Sequence, residues 1–207
     1  ITHREQFERA VQALAYRCEP REIPRAVGAQ YIGGLANWER IRKHKCSYLA
    51  SGGTDWNAEF RRYTQNKENY TDSLILLSTG YYSGLSPEEV GLPPEIWKEA
   101  SGEIRKYHEL THFIYRKCYP GDIQVIRDEV LADCVGMCAA FDRYDASLAR
   151  KLLGLDNGTL RPDARLRHYV PEDVLPQAMN EAALWINGLE KLLSRVPDLS
   201  KRQRESL

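Results

Sequence analysis

At 207 residues with 43% hydrophobic content, the chain can bury one sizeable core, and by length it reads as a single domain rather than two. Lys+Arg and Asp+Glu each number 29, a formal net charge of zero, so neither nucleic acid nor an anionic membrane surface is an expected partner. No apolar run reaches the length of about 18 residues that a membrane span needs, and the charged start Ile1-Thr2-His3-Arg4-Glu5 is unlike a signal peptide. Cys18, Cys46, Cys118, Cys134 and Cys138 are an odd set without the spacing of a small disulfide framework, which points to a reducing, cytoplasmic compartment.

Taken in order, residues 2 to 17 carry Phe7, Val11, Leu14 and Ala15 at helical spacing and predict an amphipathic helix ending near Cys18-Glu19-Pro20. From Arg21 to Gly53 the glycines and Pro24 predict irregular chain, with a short helix from Leu35 to Lys45 around Trp38 and Ile41. Asp55-Trp56 to Gln65 predicts another short helix, and Leu74-Ile75-Leu76-Leu77 a buried strand. Tyr81-Tyr82-Ser83-Gly84 reads as a loop and Ser86-Pro87-Glu88-Glu89 as a capped turn; after Pro93-Pro94 a long helix runs from Glu95 to Cys118. Pro120-Gly121 stops it, and Asp122 can cap a second helix from Ile123 to about Tyr144, in which Gly136 permits close helix approach. A short helix from Ala146 to Leu155, a turn at Asp156-Asn157-Gly158, a basic segment from Pro162 to Tyr169 and a long helix from Glu172 to Ser194 complete the elements. The tail Lys201 to Leu207 is expected to be mobile. The single domain 1–207 thus divides into a helical and irregular part (1–70), a strand with two long helices (71–145) and a helical end (146–207).

Within the first long helix stands His108-Glu109-Leu110-Thr111-His112. Four residues apart on one helical face, the two imidazoles can bind one zinc ion, while Glu109 can reach a metal-bound water. His108 lies on a stripe with Trp97, Ala100, Ile104, Thr111 and Tyr115 that is mostly apolar. A single histidine there would usually be a satisfied core residue, but two histidines beside Glu109 are costly to bury without a metal or several hydrogen bonds. A third ligand is available in Glu129, seventeen residues after His112: if the chain reverses at Pro120-Gly121, its carboxylate is laid against the histidine face. Asp133, one turn later, can accept the other ring N–H of a zinc-bound histidine and fix its tautomer. Cys134 and Cys138 lack a Cys-x-x-Cys partner spacing and read as core packing.

These residues resemble the gluzincin metallopeptidases, of which the thermolysin-like enzymes are best studied, and the shortness of the chain suits a compact minigluzincin-type member. His108-Glu109-Leu110-Thr111-His112 looks like their active-site helix and Glu129-Val130-Leu131-Ala132-Asp133 like their glutamate helix, over roughly residues 95 to 145. The resemblance implies His108, His112 and Glu129 as zinc ligands, Glu109 as general base and Asp133 behind a histidine. It further implies an α+β, mostly helical fold with a zincin-like active-site helix and glutamate helix packed beside a small sheet. A strand beside the cleft that pairs with substrate backbone is also implied; residues 74 to 80 are the candidate, with an ordinary core strand equally open. Such enzymes need a His or Tyr donor to the oxyanion, for which His168 is the first candidate and Tyr169, Tyr115 and Tyr119 are the others. The expected function is a zinc-dependent peptidase acting on a peptide or protein substrate. With no acidic residue near 74 to 84 placed to hold a substrate amine, an endopeptidase is favoured. The alternative is a catalytically silent zincin-like scaffold serving as a protein-binding or regulatory module.

Overall fold

The computed structural model describes residues 1–24, 27–156 and 158–195, so the expected mobile tail lies outside the described residues. In chain order the elements are α1 (Arg4–Ala15), β1 (Ala29–Ala36), α2 (Trp38–Ala50), α3 (Trp56–Thr64), β2 (Thr71–Leu77), α4 (Pro87–Val90), α5 (Pro94–Cys118), α6 (Val125–Phe141), α7 (Ala146–Leu153), β3 (Leu155–Asp156), β4 (Thr159–Leu160) and α8 (Leu175–Leu193). The fold is therefore α+β and mostly helical. No helix among the described residues is long and apolar enough to cross a membrane. The chain divides into two compact units, one formed by Ile1–Gln30 with Leu77–Leu207 and the other by Tyr31–Leu76.

In the larger unit, α1 buries Phe7 and Val11, four apart as the spacing predicts. Trp97, Ala100, Ile104 and His108 of α5 are all buried, and the Trp97 indole donates to the Leu85 carbonyl at 2.8 Å. Beyond α5, Gly121 turns the chain with φ +90, a conformation that favours glycine. Helix α6 then runs back along α5. Ile104 meets Gly136, His108 meets Asp133 and His112 meets Glu129, and each pair of numbers sums to 240 or 241. A constant sum is the signature of an antiparallel helix hairpin, and its midpoint falls on Pro120-Gly121, the pair that stops α5. Asp142, at φ +56, ends α6, and Asp145 caps α7 by accepting from Ser147 N at 2.9 Å and Leu148 N at 3.0 Å. Met137 from α6, Leu152 and Leu153 from α7, Leu166, and Ala182 and Ile186 from α8 join Trp97 and Ile104 in one core.

Gly136 is what allows the hairpin to close. A Cβ there would lie 2.7 Å from the Ile104 carbonyl oxygen, which is backbone and cannot swing aside. Gly136→Ala is expected to lower stability, because overpacking costs about 1–3 kcal/mol and exceeds the gain of about 1 kcal/mol in helix propensity. A shifted urea midpoint at unchanged slope checks this.

In the smaller unit, Asn37 caps α2 by accepting from Arg40 N at 3.1 Å, and Asp55 caps α3 by accepting from Ala58 N at 2.9 Å. His44 stacks on Tyr63 with centroids 3.9 Å apart and meets the buried Glu59 carboxylate at 2.6 Å. Two sequence expectations are corrected here. Residues 29–36 form a strand rather than irregular chain, with Gly33 and Gly34 inside it, because pairing with β2 overrides the breaking tendency of glycine. The helix expected from Leu35 accordingly starts only at Trp38. The strand containing Leu74 to Leu77 forms, but none of its residues is fully buried and Leu74 is 39% exposed. A two-stranded sheet has no interior strand to shelter such a run.

Candidate metal centre

Because α5 and α6 run antiparallel about Pro120-Gly121, His112 and Glu129 stand equally far from the turn on facing sides, with His108 one turn deeper. The His108 Nε2 and His112 Nε2 atoms are 3.1 Å apart. Glu129 Oε2 lies 3.4 Å from the former, and Oε1 lies 3.3 Å from the latter. Zinc bonds of about 2.0–2.1 Å at tetrahedral angles require ligand atoms about 3.3–3.4 Å from one another. The two imidazole nitrogens stand slightly closer than this, and each meets a different Glu129 oxygen near it, so the three side chains converge on one point where a metal ion could be held. Among the described residues no other trio of His, Cys, Asp and Glu side chains converges in this way. Glu129 Oε2 is buried with no hydrogen bond, its polar neighbour being His108 Nε2 at 3.4 Å, so a metal ion placed among the three side chains would give it the partner it lacks. On spacing, donor chemistry and this orphaned oxygen, the residues fit a zinc ion.

A polar network behind His108 sets its tautomer. The Asp133 carboxylate, 1% exposed, faces His108 Nδ1 at 2.9 Å and accepts from the Tyr82 hydroxyl at 2.7 Å, both through Oδ1. The Tyr82 hydroxyl is itself 2.9 Å from Nδ1. An ionised carboxylate only accepts, so Nδ1 keeps its proton, and it is Nε2 that can be deprotonated to offer a lone pair to a metal. Arg165 Nη2 donates to Asp133 Oδ2, and its Nη1 donates to Ser83 Oγ at 3.2 Å. The guanidinium also lies over the rings of Tyr82 at 5.1 Å and Tyr169 at 5.9 Å.

Burial alone would raise the Asp133 carboxyl, but the Arg165 charge and the His108 and Tyr82 contacts hold it below the ordinary aspartate range. Glu129 is likewise resisted by burial yet held well below its usual value by the two histidines. Burial opposes the charged form of His108 too, but Asp133 and Glu129 outweigh it and raise the imidazole to about 9 in the metal-free chain. That proton must leave before Nε2 can ligate. Zinc affinity is therefore expected to climb about tenfold per pH unit up to about pH 9, one proton being displaced per ion bound; chelator competition at several pH values measures the slope. Stability has the matching sign. The His108 contribution in the metal-free chain is complete below its ordinary value of 6.5 and is lost as pH rises through about 9.

Glu109 is half-buried beside the ligand pair on α5, and its charge acts on Arg105 one turn earlier. His168 ends a short 3-10 turn, Arg165–His168, and its side chain is exposed; from this segment it is Arg165 and Tyr169 that reach the centre. The Tyr169 phenol is held protonated chiefly by burial, with a hydrogen-bonding contribution from Glu129. Tyr115 donates to Asp122 Oδ2 at 2.6 Å, tying the end of α5 to the reversal, and Tyr119 is 57% exposed. Strand β2 stops at Leu77, and the backbone just beyond it is engaged by Arg105, whose Nη1 and Nη2 donate to the Ser78 and Gly80 carbonyls, each at 2.8 Å.

Tyr82 and Arg165 are the members of the centre that sequence reasoning overlooked as site residues. Tyr82 lies in a loop with no periodicity, beside Ser83 at φ +53. Arg165 stands in a basic stretch whose plain reading is a solvated turn. Neither carries a local signal of burial.

The sequence profile of a family of unknown function, DUF7005, matches residues 1–196, and the chain belongs to that family. Comparisons with curated proteins and with solved structures return no match.

Proposed function

We propose that this member of DUF7005 is a zinc-dependent peptidase of compact gluzincin type, and that it cleaves within a peptide or protein substrate. The observation that carries the reading is the convergence of His108 Nε2, His112 Nε2 and the Glu129 carboxylate, whose buried Oε2 has no hydrogen bond. His108, His112 and Glu129 would hold the zinc. When bound at such a three-ligand site, zinc polarises a scissile carbonyl and brings water's pKa to near 7.

The chain's own groups supply the rest. Asp133 and Tyr82 hold the His108 ring so that Nε2 stays aimed at the centre, and Arg165 keeps Asp133 ionised although it is buried. Glu109 takes a proton from the attacking water and passes it to the leaving amine. Tyr169, kept protonated by burial, donates to the oxygen that gains charge in the transition state, a role in which its neighbour His168 would first have to turn inward.

Chelator-free purification followed by metal analysis and a library of terminally blocked peptides tests this. One zinc per chain together with internal cleavage is the expected result. Zinc without cleavage of any peptide would replace the peptidase by the catalytically silent scaffold, and absence of zinc would end both.

A further inference from the structure

A cavity of about 310 Å³ lies within the larger unit, lined by Arg4, Lys98 and Arg105 together with Thr2, Ser78 and Thr79, and none of its lining residues is acidic. It is at the small end of ligand-binding pockets, which run from about 300 to 1,000 Å³. Arg105 is only 3% exposed. Its hydrogen bonds go to the carbonyls of Ser78, Gly80 and Ser101, which orient the guanidinium but carry no opposing charge. Gly28 lets it lie against the backbone, since a Cβ there would stand 2.6 Å from Nε. Arg4 is near enough for its charge to oppose that of Arg105, while the Glu109 carboxylate one turn on, outside the cavity lining, acts on Arg105 in the other sense and more strongly; of the three cations only Arg4 has an ion pair, with Glu8 at 2.6 Å. Lys98 and Arg105 form no ion pair with a described residue. Three cations around a partly desolvated cavity with no acid in its lining make it electropositive, which favours an entering anion.

We propose that this cavity is a binding site for an oxyanion group, a carboxylate or a phosphate, gripped by Lys98 and Arg105 with Arg4 and the neighbouring hydroxyls. Guanidinium groups bind both anions through charge-assisted hydrogen bonds, and an ammonium at the mouth draws them in. The site is separate from the zinc ligands and does not depend on the metal. It borders them all the same. Arg105 precedes His108 by one turn and lies over the Tyr82 ring at 5.6 Å, so an occupant would sit close to the residues that hold His108.

The test is calorimetric titration of the metal-free full chain with inorganic phosphate and, separately, with succinate, each against sodium chloride at matched ionic strength. Saturable binding of at least one of them above the chloride control is expected, weakened about tenfold or more by Lys98→Ala and by Arg105→Met. Preference for phosphate or for succinate then tells which group the pocket takes. Lys98 is exposed, so Lys98→Ala keeps the question open to refutation even where Arg105→Met fails to fold. No saturable binding by either anion, or unchanged affinity in a folded variant of either residue, overturns the proposal. Because no metal is present, this result stands apart from the outcome of the peptidase assay.

Discussion

Glu109→Gln is expected to abolish measurable proteolysis, lowering kcat by about 10²–10⁴-fold, while the protein still carries one zinc per chain. The amide has the shape of the carboxylate but cannot take a proton at neutral pH. Glu109 is absent from the ligand trio, so the metal has no reason to leave. His112→Ala supplies the contrast, since it removes a ligand and should lose metal and activity together. Metal analysis beside steady-state kinetics separates the two patterns. Full activity in Glu109→Gln would remove Glu109 from the mechanism and with it the gluzincin assignment.

Asp133→Ala is expected to be the most destabilising single substitution at the centre, at about 3–5 kcal/mol, because it strands a buried guanidinium. The Asp133 carboxylate accepts from Arg165, Tyr82 and His108, and both it and Arg165 are buried. Removing the carboxylate leaves three donors without their acceptor. Adding Arg165→Met to Asp133→Ala should restore part of the loss, since the stranded charge is gone, and a double-mutant cycle on urea midpoints of the metal-free chain would read that coupling. Zinc affinity should fall about 10–100-fold in the single variant, as the His108 ring loses the group that orients it. A cost below about 1 kcal/mol for Asp133→Ala would mean that Arg165 finds another counter-charge, and that this carboxylate does not anchor the centre.

Much of the centre is legible in the sequence. Spacing places His108 and His112 on one face of a helix whose other positions are Trp97, Ala100 and Ile104, and these are buried as the periodicity predicts. Glu129 follows from the turn: once Pro120-Gly121 is taken as the reversal, residues equally distant from it must face each other. Where the sequence misled, a partner distant along the chain had intervened. Gly33 and Gly34 look like chain breakers until β2 pairs beside them, and the apolar run at Leu74 looks buried until the sheet proves to have only two strands. His168 was the more obvious donor by residue type, yet the turn ending at His168 leaves it in solvent while Arg165 and Tyr169 face the centre.

Local chemistry, then, was enough to determine the two helices, their reversal and the side chains that converge as a candidate metal centre, because helical period, proline and glycine act over a few residues. Only the tertiary structure decided which groups surround His108 from behind and which cations share a cavity beside it. Tyr82 and Asp133 are 51 residues apart, and Arg165 and Asp133 are 32 apart. Contacts over such separations leave no periodic trace in the chain, since burial of an arginine or a tyrosine hydroxyl is settled by whatever element happens to pack over it.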